Sequence, residues 1–262
     1  MTVGTVYALV LAVLFALAAG LVGSFALSKR ILLASDVLSH LALPGMGLAM
    51  LLGFTRHWIV GGGVTLIVGT LLVWKLQQRA ALAADAAIGV VFATSLALGA
   101  LLTPKADMLE ALFGSFQPLS LAEFLLGAAT AVLILFALYR LRHRLVLSLF
   151  SPELAAATGV NLPRLELYFL LLFSLTVLVA LPFMGALLAS ALVILPAATG
   201  RRFSSSFSQF LAASIVASVV SVVAGFAIGQ RLFPRMGLGP IIALVAGALF
   251  LASLALGERR TA

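Results

Sequence analysis

Cysteine is absent from the chain, which excludes disulfides, thiolate metal sites and a cysteine nucleophile. Charge is scarce too: Asp, Glu, Lys and Arg make up 9% of the 262 residues, where a soluble domain carries about 25%. So little charge cannot cover a water-facing surface. The catalytic signatures HExxH, GxSxG and GxGxxG are missing, as is the phosphate-cradling GxxxxGK[ST] loop. Any ATP-driven work would therefore draw on another subunit's ATPase. No basic stretch precedes the first apolar run, so no cleavable signal peptide is expected.

What the chain has is apolar length: 63% of it is hydrophobic, and the mean hydropathy is +1.25. A spanning helix needs roughly 20 apolar residues, about 30 Å at 1.5 Å per residue. Runs of that order lie near 5–27, 31–52, 58–76, 84–103, 119–139, 165–181, 184–200, 206–230 and 239–257. They predict an all-α polytopic membrane protein with about nine transmembrane helices. The join at Leu181-Pro182 is the open point. There, 165–200 reads as two short helices or as one long broken helix, which would make eight. All of 1–262 then forms one transmembrane domain, with almost nothing left for a soluble one.

The net charge of +8 raises the question of a nucleic-acid partner. In a membrane protein, excess Lys and Arg instead marks the cytoplasmic loops. Alternating nine helices from an outside N-terminus puts Lys29, Arg30, Lys75, Arg79, Arg140, Arg142, Arg144, Arg164, Arg201, Arg202, Arg259 and Arg260 inside. Arg56, Lys105, Arg231 and Arg235 fall outside, 12 basic residues against 4. The bias predicts N-terminus out and C-terminus in. It also accounts for the basic charge as topology, so no nucleic-acid partner is expected.

Two predicted loops stand out. The outside stretch 104–118 is amphipathic and carries Asp107 and Glu110; the inside stretch 140–164 is the only sizeable cytoplasmic segment. Within the latter, 152–159 reads as a short helix, with Ser151 as N-cap, Pro152 at the first helical position and Gly159 at the end. On pattern alone it is a helix lying at the membrane interface. Small residues such as Gly61-Gly62-Gly63 and the Gly225-x-x-x-Gly229 pair let helix backbones approach closely, in a tight bundle or a dimer contact.

Most ionisable residues sit in loops or near helix ends, Asp85, Glu123 and Glu166 among them. The exception is the second apolar run, where Asp36 and His40 lie four residues apart, on one helix face. Counted from Arg30, His40 lies about 15 Å along a helix, near mid-membrane, where ionisable groups are costly unless they face a partner or a wet cavity. A carboxylate oxygen and a neutral imidazole nitrogen make a half-site for a divalent cation such as Zn²⁺ or Mn²⁺. Two ligands are few for storage but suit an ion that must leave again. Pro44, four residues beyond His40, lacks an N–H and so leaves the His40 carbonyl unbonded within the helix. The alternative is a Ser35/Asp36 helix cap with His40 hydrogen-bonded to a neighbouring helix. His57, beside Arg56 and Trp58, belongs to an interfacial aromatic belt, and His143 to a basic orientation signal.

The stretch from Ser35 to Gly45, SDVLSHLALPG, resembles the Gly-Asp-x-x-x-His-x-x-x-Pro-Gly signature of the zinc/manganese/iron-type ABC importer permeases. Three further stretches agree in order and spacing: 85–92, 112–115, and 185–188 leading to 195–199. The match covers about 28–255. Departures are Ser35 in place of the usual Gly, and Leu181-Pro182 where a polar or basic residue is common. The resemblance implies a permease of the bacterial inner membrane that works as a homodimer. Its partners would be a cytoplasmic ABC ATPase and an extracytoplasmic metal-binding protein. It places Asp36 and His40 at the pathway-lining acid and histidine. It also makes 151–160 a cytoplasmic coupling helix, with Pro152, Glu153, Leu154, Ala155, Ala156, Thr158 and Gly159 as the docking residues. Pro44 and Gly45 close the signature and join Gly225 and Gly229 as helix-packing positions. No permanently bound cofactor is implied, since the metal is cargo. Zinc is favoured by the histidine, with manganese and ferrous iron open.

Four readings follow: an ABC importer permease for a divalent metal, a proton-coupled secondary metal transporter using Asp36/His40 as relay, an intramembrane enzyme, and a structural subunit without a pathway. The enzyme reading has only the Asp36/His40 pair in its favour.

Overall fold

The computed structural model describes residues 3–32, 34–54, 58–79, 84–102, 119–232 and 237–257, and its regular elements are all α-helices. They are α1 (Val3–Ser28), α2 (Ala34–Leu41), α3 (Leu43–Leu51), α4 (Trp58–Arg79), α5 (Ala84–Leu102), α6 (Leu121–Phe150), α7 (Pro152–Ala157), α8 (Leu162–Phe203), α9 (Phe207–Leu232) and α10 (Leu238–Gly257). Without water, each peptide must bond within its own helix, so apolar runs fold this way. Buried hydroxyls obey the same demand: Ser24 and Ser214 each donate to the carbonyl four residues back.

The expectation of nine spans is overturned. Among the described residues six helices are long and apolar enough to cross a membrane: Val3–Ser28, Ile59–Arg79, Leu121–Phe150, Leu162–Leu181, Phe207–Leu232 and Leu238–Ala255. Over the second and fourth apolar runs the described residues give the shorter apolar stretches Asp36–Leu51 and Ala86–Leu102. The second run is divided into α2 and α3 at Ala42, whose backbone stays right-handed helical (φ −74°, ψ −27°), because Pro44 in the first turn of α3 has no N–H to continue the hydrogen bonding. An apolar run measures hydrophobic length and says nothing about helix continuity. The outside-to-inside orientation rested on that odd count and falls with it.

The stretch 165–200 forms two helical arms, both within the range given for α8, that meet at Gly185 rather than at Leu181-Pro182. Gly185 has φ 72°, a left-handed value that glycine adopts without the steric cost of a side chain. A straight helix of 42 residues would be about 63 Å long, twice the hydrocarbon core. Instead, α8 doubles back. Phe25 of α1 touches Phe169, near the start of α8, and Phe207, just beyond its end, with ring centroids 6.3 and 5.5 Å apart.

α1 runs through the middle of the bundle against α6, α8 and α9. Its small residues face inward together with Phe15 and Phe25. Large apolar side chains such as Val132, Leu133 and Phe136 point outward on α6, as a lipid-facing surface requires.

Candidate functional site

α2 packs against α3, α4, α5 and α8, which fixes the surroundings of its two ionisable residues. Asp36 lies in the first turn, where its carboxylate meets the positive end of the helix dipole. The helix starts at Ala34, so His40 is about 9 Å from its beginning. His40 Nε2 stands 3.7 Å from Asp36 Oδ1. The imidazole side chain is 11% exposed and the carboxylate side chain 42%. The ring lies against Phe92 of α5, centroids 5.5 Å apart, and Nδ1 has no hydrogen-bond partner among the described residues. A hydrogen bond from Nδ1 to a neighbouring helix, the bland alternative for this histidine, is thus not formed there.

Just beyond the pair, Pro44 and Gly45 are buried. A Cβ on Gly45 would strike the Gly61 carbonyl and Thr65 Oγ1, and one on Gly61 would strike the Gly45 carbonyl. α3 and α4 therefore meet backbone to backbone, and this contact anchors the broken helix that carries Asp36 and His40. Thr70 and Ser174 add a buried hydroxyl pair, 2.5 Å apart, between α4 and α8. Gly225 faces Ile242, and Gly229 faces Leu238 and Ile241. Their spacing thus serves a contact between α9 and α10 of the same chain.

α7 is capped by Ser151, whose Oγ accepts from Leu154 N, begins with Pro152, and is followed by the C-cap Thr158 and by Gly159, φ 82°. Ala155 is buried, while Pro152, Glu153, Leu154, Ala156, Thr158 and Gly159 are exposed. The helix packs against α6 and α8 with most of its surface open. Beside it, the cations Arg144 and Arg164 edge a cleft of about 310 Å³ that sequence reasoning did not single out. Nor did Phe92 receive a role, although it lies in one of the motif stretches. Its contact with His40 depends on how α5 packs on α2, which no local pattern reveals.

Among the described residues no group of three or more His, Asp or Glu converges. Asp36 and His40 stand together there as a pair of donor-type side chains. The stretch 112–115, Asp107, Glu110 and His57 lie outside the described residues, as do the side chains of Ser35, Trp58 and Asp85.

The family described as the ABC 3 transport family matches residues 3–257. The high-affinity zinc uptake system membrane protein ZnuB of Haemophilus influenzae is 27% identical over 96% of this chain and 97% of its own length. The manganese import system permease protein ScaB of Streptococcus parasanguinis is 28% identical over 97% and 90%. Among solved structures, PsaBC from Streptococcus pneumoniae in complex with Fab is similar at a TM-score of 0.82 and 25% identity, covering 97% of this chain and 91% of that one.

Proposed function

Because this chain belongs to the ABC 3 transport family and is a multi-pass permease of the plasma membrane, we propose that it is the membrane-spanning subunit of an ATP-driven importer for zinc or manganese. The observation that carries the metal is the Asp36/His40 pair. A buried imidazole with an unpartnered nitrogen stands one turn from a half-exposed carboxylate. Both metals accept a carboxylate oxygen and an imidazole nitrogen, and the relatives named above are divided between them.

Two donors leave a metal loosely held, which suits passage. A second copy of the chain would bring a second pair, and four donors match tetrahedral zinc. The open surface of α7, with Glu153, Leu154 and Ala156 around the inward-facing Ala155, supports its role as the docking element for a separate ABC ATPase. An extracytoplasmic metal-binding protein would deliver the ion at the opposite end.

The proton-relay alternative is disfavoured by the 3.7 Å gap between Asp36 and His40, since direct proton transfer needs hydrogen-bond contact. Proteoliposomes decide between them. The chain reconstituted with its ATPase is expected to take up zinc or manganese only with ATP. Uptake by the chain alone, driven by a pH gradient, would reject the importer reading.

A further inference from the structure

We infer that the cleft between the last turns of α6 and the start of α8 binds the phosphate of an anionic phospholipid. Arg144 enters it from α6 and Arg164 from α8, with Thr158 and Asn161 between them and Leu141 and Tyr168 at the side. The two guanidinium groups come from different helices, and among the described residues neither forms an ion pair with a carboxylate. Their neighbour Arg142 is otherwise engaged: it stacks on Tyr139 at 4.0 Å and donates to His143 Nε2. Thr158 spends its hydroxyl proton on the Ala155 carbonyl. Asn161 Oδ1 accepts from Arg164 N, which leaves the amide Nδ2 as a further donor. Both arginines are exposed and so open to a multidentate anion, and arginine forks match phosphate oxygens.

The level of the cleft says where that anion comes from. α6 has 30 residues, about 45 Å, so some 15 Å must project beyond a hydrocarbon core of about 30 Å. Counted from Leu121, the core ends near Arg140, and Arg144 falls within the headgroup layer. Tyr139 and Tyr168 are both exposed, each one to one and a half turns on the membrane side of its arginine. Trp74 donates to the Pro163 carbonyl, next to Arg164. Three aromatic side chains thus stand within about one and a half turns of the two arginines, as in an interfacial belt. Beyond Tyr139 the exposed Val132, Leu133 and Phe136 continue along α6, an apolar wall along which an acyl chain can lie while its phosphate sits between the arginines.

The test uses the full chain, purified in detergent and offered phosphatidylglycerol and phosphatidylcholine, with retained lipids counted by native mass spectrometry. Wild type is expected to prefer phosphatidylglycerol. The R144Q/R164Q double variant should lose that preference by about tenfold or more, the effect of removing charge-assisted hydrogen bonds. Arg231→Gln, at the far end of α9, should keep it. Where the glutamine pair does not fold, the charge-conserving R144K/R164K pair reports instead, with a smaller loss in the same direction. Undiminished preference in the folded double variant overturns the site. Equal loss in Arg231→Gln reduces it to bulk charge. Displacement by inorganic phosphate at matched concentration would assign a free anion. Lipid retention unchanged while ATPase co-purification is lost would assign a protein partner.

Discussion

His40 Nε2 stands 3.7 Å from Asp36 Oδ1, one turn away on α2, yet the imidazole is largely enclosed and the carboxylate is open. The gap is too long for a hydrogen bond and close to the spacing of two donors around one ion. At ligand distances of about 2.1 Å, two donors of a tetrahedral zinc lie about 3.4 Å apart. In the proposed importer, a hydrated cation would meet the carboxylate first and exchange water for imidazole as it moves inward. The ring contact with Phe92 restricts the imidazole to few orientations.

The α3–α4 contact holds this helix in place. Gly45→Ala is expected to destabilise the protein by about 1–3 kcal/mol, the range for overpacking, because the new methyl would meet the Gly61 carbonyl and Thr65. Gly89→Ala is the control, since a Cβ there meets nothing within 4 Å. Thermal unfolding of the purified variants checks the pair, and equal melting temperatures would refute the backbone contact.

Thr70 and Ser174 test the tie between α4 and α8. A double-mutant cycle with Thr70→Val and Ser174→Ala should give a favourable coupling of about 0.6 kcal/mol, the average for polar pairs between membrane helices. Additive losses would mean that the hydroxyls serve only their own helices.

Lys29, just past α1, has its pKa lowered from 10.5 by burial, partly offset by the charge of Glu166. Its ammonium lies 5.8 Å from the Phe169 ring. The folded protein therefore binds this proton less tightly than the unfolded chain, and the destabilisation is fully present below the folded-state pKa. Stability should rise relative to Lys29→Met as pH climbs from the folded-state pKa towards 10.5. Melting temperatures of both proteins across that range provide the check, and parallel curves would contradict it.

Local features were legible in the sequence because their causes are local. Ser151, Pro152 and Gly159 mark the short helix by capping chemistry, and Asp36 with His40 share a face by helical spacing. Features that depend on packing were not. Leu181-Pro182 looked like the break in 165–200, but the chain turns at Gly185, whose left-handed φ follows from α8 folding back beside Phe25. The second apolar run is divided into α2 and α3, because Pro44 removes one helical bond. Nine apolar runs stand against six helices of spanning length among the described residues. The Arg144/Arg164 cleft joins residues 20 positions apart across a helical hairpin, and only the packing of α6 on α8 brings them together.

The most direct test of the central claim is the initial rate of ATP-driven metal uptake in wild type, Asp36→Ala and His40→Ala, with membrane levels of each protein matched. Loss of even an outer partner of a metal ligand costs about 10- to 100-fold, so each variant should fall by at least about tenfold. Wild-type rates in both variants, at equal protein levels, would remove Asp36 and His40 from the path of the ion.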